Sequence, residues 1–559
     1  MVETMDARSL RAAGREIAFP FLVAIETADG PVNLLAEREL RVLPGKRVVC
    51  AGRLLSGGDA EALSLHGEAA AGSVAETGVD VNGPADICSN GSMDATSHGD
   101  IDGDADRKGG DDSGGWEGTG RPAVVKLFLD PTGAPRHFRR EAEGCRALAA
   151  AGIPTPRILL TGELEEGGGR ALAFEALDPA EDLQEAWDRA GGDAARSALQ
   201  RRAAEAIADQ HAAGLLQRDL HLGNFLASEG TLYTIDGDAV DAGGKGAPLS
   251  RKASLENLGL FFAQFHPDQD HLVEETFAAY ARRRGWNVDP QTSQALSAAI
   301  ARRRERRLKK FMEKLHRECT AFACGREGGR RWVLDRAYHD SEMAAFIADP
   351  DGFMAAGRIL KDGNTATVAE VRVGNRLLVA KRYNIKGTGH ALRRCLRPCR
   401  ARISWEGAHM LRHLGIPTAR PVLLLEERRG PFPGRAWFVT EYLEGRDLWH
   451  LLHSEGRKDM DLPRLADGAE TLFRQLIRAR VTHGDFKGMN FLLSGGELFL
   501  IDLDAIRRHR RMPPFRRAFL RDIRRFERNW DDLPEVAPVF AERTAKVVAD
   551  VEGAGAAGR

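Results

Sequence analysis

Hydrophobic and polar residues alternate at two widely separated places in this 559-residue chain, and each place predicts paired strands. In the later half, TVAEVRV (Thr367–Val373) and RLLVAKRY (Arg376–Tyr383) alternate and are rich in β-branched residues. A DGN turn precedes them and a GN turn separates them. In the earlier half, ELRVLPGKRVVCAGRLL (Glu39–Leu55) does the same around Pro44-Gly45. The period then changes. RHFRREAEGCRALAAAG (Arg136–Gly152) and ISWEGAHMLRHLG (Ile403–Gly415) carry apolar residues at helical spacing and stop at glycine. Helix-compatible text fills most of the remainder.

The two halves match in order. AVVKLF (Ala123–Phe128) answers LVAKRY (Leu378–Tyr383), and AAGIPTPRILL (from Ala150) answers HLGIPTARPVLLL (from His413). ALAFEALDPAEDL (from Ala171) answers WFVTEYLEGRDL (from Trp437). QRDLHLGNFLASEGTLYTIDGDAV (Gln217–Val240) answers HGDFKGMNFLLSGGELFLIDLDAI (His483–Ile506). Gly152 to Asp219 is 67 residues and Gly415 to Asp485 is 70, far above the period of a solenoid repeat. The expectation is one domain encoded twice, with residues 1–340 as the first copy and 341–559 as the second.

Composition changes this picture in one place. Residues 56–120 are rich in Gly, Asp, Ser and Ala and nearly lack aromatics. That is the composition of a disordered acidic insertion, unable to bury enough apolar surface to offset ordering entropy. Within it, Asp100–Asp111 faintly resembles a calcium loop, but Ala105 stands where glycine is needed and Arg107 where an apolar residue is needed. The chain is otherwise globular in composition, with net charge −1, which argues against wholesale nucleic-acid binding. Its seven Cys are scattered, and the spacings of Cys319/Cys324 and Cys395/Cys399 are not those of a zinc site. No signal peptide or membrane-length apolar run is read, so a reducing, cytoplasmic setting is expected.

The chemistry lies in the last repeated stretch. An Asp, an Asn five residues on, and a second Asp twelve residues after the Asn follow an upstream strand Lys in both copies. The first Asp suits proton acceptance from an attacking hydroxyl. The Asn oxygen and later carboxylate are hard ligands for Mg²⁺, which bridges nucleotide phosphates, and the Lys suits the α and β phosphates. The sets are Lys126, Asp219, Asn224, Asp236 and Lys381, Asp485, Asn490, Asp502.

These motifs resemble the protein-kinase-like fold. More narrowly, IDGD and IDLD, the HGDFKGMNFLL loop, LLVAKRYNIKG and the helix leading into GIPTARP resemble the Kdo/WaaP family of lipopolysaccharide core kinases in tandem. The resemblance implies an α+β chain of two bilobal domains, each with a small β-rich lobe and a helical lobe. It implies ATP and Mg²⁺ as cofactors, with Asp219 and Asp485 as catalytic bases and Lys487 steadying the transferring phosphate. Asn224, Asp236, Asn490 and Asp502 would bind metal, and Lys126 and Lys381 nucleotide phosphates. His221 stands where the second copy has Lys487, and Gln217 where it has His483, which puts the first site's rate in doubt. The helix partner of the strand Lys is Glu141 or Glu143 in the first copy. Glu406 is available in the second and aligns with Glu143. A solvated helix face is an equal reading for each.

The implied reaction is transfer of the ATP γ-phosphate to a heptose or Kdo hydroxyl of the inner core. The expected partner is lipopolysaccharide core or another anionic glycolipid, met by peripheral contact with the inner membrane surface, with no nucleic acid. Two basic runs, Ala301–Arg317 and Arg507–Trp530, fit attraction to such anions or a solvated face. The rival readings are a protein or small-molecule kinase of the same fold, or a nucleotide-binding pseudokinase scaffold.

Overall fold

The computed structural model describes residues 2–55, 120–165, 167–241, 243, 246–384, 399–429 and 432–553. The acidic insertion, with Asp100–Asp111, and Cys395 lie outside the described residues. The chain is a mixed α+β protein that divides into two compact units. Among the described residues of the first are 2–55, 120–264 and 270–303; the second holds 265–269 and 304–553.

The first unit contains a seven-stranded sheet. Its strands are β1 (Glu3–Thr4), β2 (Phe21–Thr27), β3 (Gly30–Leu43), β4 (Arg47–Leu55), β5 (Arg121–Phe128), β6 (Ile158–Leu164) and β7 (Arg170–Glu175). Spatial order is β1-β2-β3-β4-β5-β7-β6, and β6 returns to pair with β2, so the sheet closes on itself. The predicted turn at Pro44-Gly45 joins β3 to β4, with Leu43 opposite Arg47. Inward alternation supplies the core: Val23, Ile25, Leu34, Val48, Cys50, Val125 and Leu127 are buried together. Helix α1 (Ala134–Ala150) packs beside this sheet, α2 (Asp193–Ala212) follows, and the hairpin β8 (Phe225–Ser228) and β9 (Thr231–Thr234) precedes α3 (Arg251–Phe262).

The second unit repeats this order. Its sheet holds β10 (Phe322–Glu327), β11 (Arg330–Asp335), β12 (Arg358–Asp362), β13 (Ala366–Val373), β14 (Arg376–Tyr383), β15 (Pro421–Arg429) and β16 (Phe432–Glu441), in the order β10-β11-β15-β16-β14-β13-β12. Helix α4 (Arg400–His413), α5 (Leu462–Ala479), the hairpin β17 (Phe491–Ser494) and β18 (Glu497–Leu500), α6 (Met512–Glu527) and α7 (Ala537–Gly553) complete it. The repeat alone divides the chain at 340/341, yet β10 and β11 precede that point and belong to the second sheet. β11 pairs with β15 from Leu334↔Leu423 to Arg330↔Glu427. The physical reason is strand pairing: this hairpin satisfies the open edge of β15 and covers core residues Leu423 and Leu425.

Beneath the second hairpin lies an aromatic cluster. Phe486 is fully buried among Phe473, Phe491, Phe519 and Phe526, with ring centroids 5.1–6.5 Å away. It directly follows Asp485, so packing fixes the loop that carries that carboxylate. Among the described residues, no helix is long and apolar enough to cross a membrane.

Candidate functional site

In the first unit, β5 points Lys126 into the protein, where its side chain is 10% exposed. The ammonium lies 2.6 Å from Glu141 of α1 and 2.6 Å from Asp236, which follows β9. Burial alone would lower the lysine pKa, but the Asp236 and Glu141 charges outweigh it and hold the ammonium well above its usual range. Lys126, reinforced by that hydrogen bond, in turn holds Asp236 far below the usual carboxylate range. Glu141 also accepts hydrogen bonds from the amides of Gly237 (3.2 Å) and Asp238 (3.1 Å). This reach requires α1 to approach the 237 turn closely. A Cβ on Gly144 would sit 2.0 Å from the Gly237 carbonyl oxygen, so glycine is needed there.

Of the two helix candidates, Glu141 is therefore the lysine's partner, and Glu143, read as a nucleotide-site residue beside it, is not. Glu143 is exposed. Two residues turn a helix by about 200°, so Glu143 points away when Glu141 points in. Glu406, aligned with Glu143 by its distance to GIPT, is likewise no partner of Lys381. It binds His316 (2.7 Å) and Arg402 (2.8 Å). The position matching Glu141 by that distance is Ser404, which shares a 2.9 Å hydrogen bond with the Tyr383 hydroxyl.

The second unit thus holds its lysine differently. Lys381 forms an ion pair with Asp502 and lies 3.9 Å from Asp504. Its ammonium also sits 5.1 Å from the centre of the Tyr383 ring. Burial opposes its charge, yet Tyr383, Asp502 and Asp504 together raise its pKa. Burial also opposes ionisation of the two carboxylates: Lys381 overcomes this for Asp502, which is lowered, while Asp504 is raised by burial and by Asp502 beside it. Arg400 lies 3.7 Å from Asp504; the corresponding pair in the first unit is His137 and Asp238, 2.8 Å apart.

Both late aspartates adopt a left-handed backbone, with φ of 67° at Asp236 and 61° at Asp502. A non-glycine residue pays about 1–3 kcal/mol there, so both copies store strain at the same point. In each, the residue before it is tied back: Gln217 donates to the Ile235 carbonyl (3.0 Å), and His483 Nε2 bonds the Ile501 carbonyl (2.9 Å). Gln217 and His483 therefore do the same positioning task, and this departure between the copies does not loosen the first site.

The Asn residues differ more. Asn490 donates from Nδ2 to the Asp485 carbonyl at 2.8 Å, which turns its amide oxygen away from that carbonyl. Asn224 accepts from the His221 amide at 2.8 Å, so its oxygen already has a donor. Asp485 is flanked by two cations, Lys487 at 3.2 Å and Arg525 of α6 at 2.8 Å. Asp219 is exposed, and Leu260 stands at the Arg525 position in the first unit.

Three residues on α6 or just after it escaped the sequence reading. Asp522 accepts from the amides of His483 (3.1 Å) and Gly484 (3.0 Å), and Asn529, just beyond the helix, accepts from Gly488 (3.1 Å) and donates to the Phe486 carbonyl (2.9 Å). Arg525 lies between them in sequence. The signal was available: Asp522, Arg525 and Asn529 stand at i, i+3 and i+7, one face of a helix. In the first unit Asn257 donates to the Gln217 carbonyl (2.8 Å), and Gln264 accepts from Leu222 (3.0 Å).

The donor types fit a divalent cation with a nucleotide: the Asp502 and Asp504 carboxylates stand beside the largely buried Lys381, and Asn490, whose carbonyl accepts from the Ile501 amide next to Asp502, adds a carboxamide. A family model described as "Lipopolysaccharide kinase (Kdo/WaaP) family" matches residues 116–241 and 357–545, one region in each half. No curated protein matches the chain. The matched regions cover more than half of the 559 residues and contain both Lys–Asp–Asn–Asp sets, so the chain belongs to the lipopolysaccharide kinase (Kdo/WaaP) family.

Proposed function

We propose that the chain transfers the ATP γ-phosphate to a heptose or Kdo hydroxyl of the lipopolysaccharide inner core, and that the second unit performs the transfer. Each unit is read as a two-lobed protein-kinase-like domain. The observation that carries the reading is the doubled convergence of a buried strand lysine on the late aspartate, Lys126 with Asp236 and Lys381 with Asp502.

In this reading Asp485 accepts the proton of the acceptor hydroxyl. Arg525 and Lys487 hold its carboxylate in place, and Asp522 and Asn529 pin the surrounding backbone. Lys381 would bind phosphate oxygens, and Asn490 and Asp502 would hold Mg²⁺, whose charge would offset that on the transferring phosphoryl group and the ADP leaving group. Three differences favour the second unit: the Asn490 oxygen is directed away from the Asp485 carbonyl, Lys487 replaces His221, and Arg525 replaces Leu260. The first unit, with Glu141 closing on Lys126, is suited to hold nucleotide and is read as slower or scaffolding.

A peptide acceptor has less support. Only residues 505–511 separate Asp504 from α6, which leaves no long segment to cradle a polypeptide. The test is Mg²⁺-dependent transfer of labelled phosphate from ATP to dephosphorylated lipopolysaccharide core. Incorporation by wild type that is lost in Asp502→Asn supports the reading. Equal incorporation by both proteins, or labelling of casein in preference to core, refutes it.

A further inference from the structure

Helix α6 carries a stripe of arginines that its counterpart α3 lacks. Arg517, Arg521 and Arg524, with Arg528 at the cap just beyond the helix, are exposed and stand at i, i+4, i+7 and i+11, along one face about 16 Å long. The opposite face is buried through Phe515, Phe519, Ile523 and Phe526. Among the described residues, none of the four arginines has a carboxylate partner, whereas Arg525, beside the stripe, reaches Asp485.

Like charges at this spacing repel within a helix. Asp522 lies beside Arg521, but none of the four forms an ion pair among the described residues, so an external anion is the physical complement. The short connection 505–511 leaves the stripe uncovered and adds Arg507, Arg508, Arg510 and Arg511, all exposed. Of these, Arg508 is occupied by Glu305 at 2.7 Å.

The repeat supplies an internal control. Asn257 and Gln264 meet the first Asp loop as Asp522 and Asn529 meet the second, so α3 and α6 correspond position by position. Where α6 has Arg517, Arg521, Arg524, Arg525 and Arg528, α3 has Lys252, Glu256, Gly259, Leu260 and Ala263. The shared role of holding the loop is kept in both copies, while the charge is present in one.

We propose that the arginine stripe of α6 docks the phosphate- and carboxylate-bearing sugars of the glycolipid acceptor, placing their hydroxyl at Asp485, and that the corresponding helix α3 of the first unit offers no such stripe. The proposal rests on the reading of Asp485 as the proton acceptor. It goes beyond that reading by locating the acceptor on one helix face and excluding it from the corresponding helix of the first copy. Arginine forks match phosphate and carboxylate in pairs of hydrogen bonds, so several along a line suit a polyanionic sugar chain better than a single phosphate.

The experiment uses the full chain and the variant Arg517→Gln/Arg521→Gln/Arg524→Gln, with Lys252→Gln as the first-unit control. Two quantities are measured. One is the KM for lipopolysaccharide core in the transfer assay. The other is binding of deacylated core oligosaccharide by calorimetry without ATP. The triple variant is expected to raise the acceptor KM and the oligosaccharide Kd by roughly tenfold or more, with no matching rise in the KM for ATP. A triple Lys variant should recover part of the loss, and Lys252→Gln should have no effect on either constant. Wild-type binding should weaken steeply between low and high salt and the triple variant much less.

Unchanged KM and Kd in a folded triple variant overturn the proposal while leaving the transfer reading intact. Stripe-dependent binding without transfer by wild type keeps the docking surface and overturns the transfer reading. Equal stripe dependence for phosphatidylglycerol vesicles lacking core, or for a DNA oligonucleotide, overturns the assignment to the acceptor and makes the stripe a bilayer or nucleic-acid surface. Should the triple variant fail to fold, the single substitutions, each at an exposed position, carry the same comparison.

Discussion

Replacing the Glu141 carboxylate by an amide leaves Asp236 as the one charged partner of the buried Lys126 ammonium and sets an NH2 where one of the bonds to Lys126, Gly237 and Asp238 needs an acceptor. Glu141→Gln is expected to cost about 1–3 kcal/mol in urea unfolding and to weaken nucleotide binding by the first unit. Glu143→Gln should stay within about 0.5 kcal/mol of wild type, because its side chain is exposed. Equal effects from the two substitutions would contradict the assignment of the lysine's partner. The sequence could narrow that partner to two glutamates two residues apart. It could not choose, because choosing needs the rotation of α1 about its axis, and this is set by the Gly144 contact with Gly237. Ser404 escaped for a related reason: alignment on GIPT sets Glu406 opposite Glu143, and only the choice of Glu141 in the first unit shows that the matching position in the second, Ser404, has lost its carboxylate.

At the scale of elements, the Asp485 loop depends on two supports, the α6 residues that bind its amides and the aromatic rings beneath it. Asp522→Ala leaves the His483 and Gly484 amides without their acceptor. It should lower core-dependent transfer by about 10²-fold, since a misplacement near 1 Å is that costly, while nucleotide binding is largely kept. Loss of nucleotide binding in parallel would show a general collapse of the unit instead. Phe486→Ala should destabilise the second unit by about 3–5 kcal/mol, read as an earlier unfolding transition. Strands β3, β4, β5, β13 and β14 and the helices α1 and α4 were legible in hydrophobic spacing, because each buries one face. The hairpin β10–β11 was not assigned to its sheet, since no repeated text marks it and pairing with β15 is a long-range contact. The left-handed backbone at Asp236 and Asp502 carries no distinctive sequence signal, because aspartate tolerates that region better than most residues yet adopts it at few of its positions.

Over the whole molecule, two copies of one arrangement have parted in chemistry while keeping their loop supports. The first keeps the lysine–glutamate contact; the second keeps the cations around its Asp and adds the α6 arginines. Acid should destabilise both units. Burial lowers His211 of the first unit and His413 of the second from the usual 6.5 to about 4. A lowered folded pKa means that the unfolded chain takes up the proton first as pH falls. The stability from these neutral imidazoles is therefore complete above about 6.5 and is lost as pH falls toward 4. Chemical unfolding at pH 7.5 and pH 5 should differ by on the order of 2 kcal/mol for the first unit, and His211→Gln should flatten part of that slope. A wild-type stability independent of pH over this window would contradict the neutral, buried state of His211.

The most direct measurement is core-dependent phosphate incorporation from Mg²⁺–ATP by the full chain, compared among wild type, Asp219→Ala and Asp485→Ala. Abolition in Asp485→Ala with substantial incorporation surviving in Asp219→Ala is the expected result and places transfer in the second unit. Incorporation that survives in Asp485→Ala and disappears in Asp219→Ala would contradict the account.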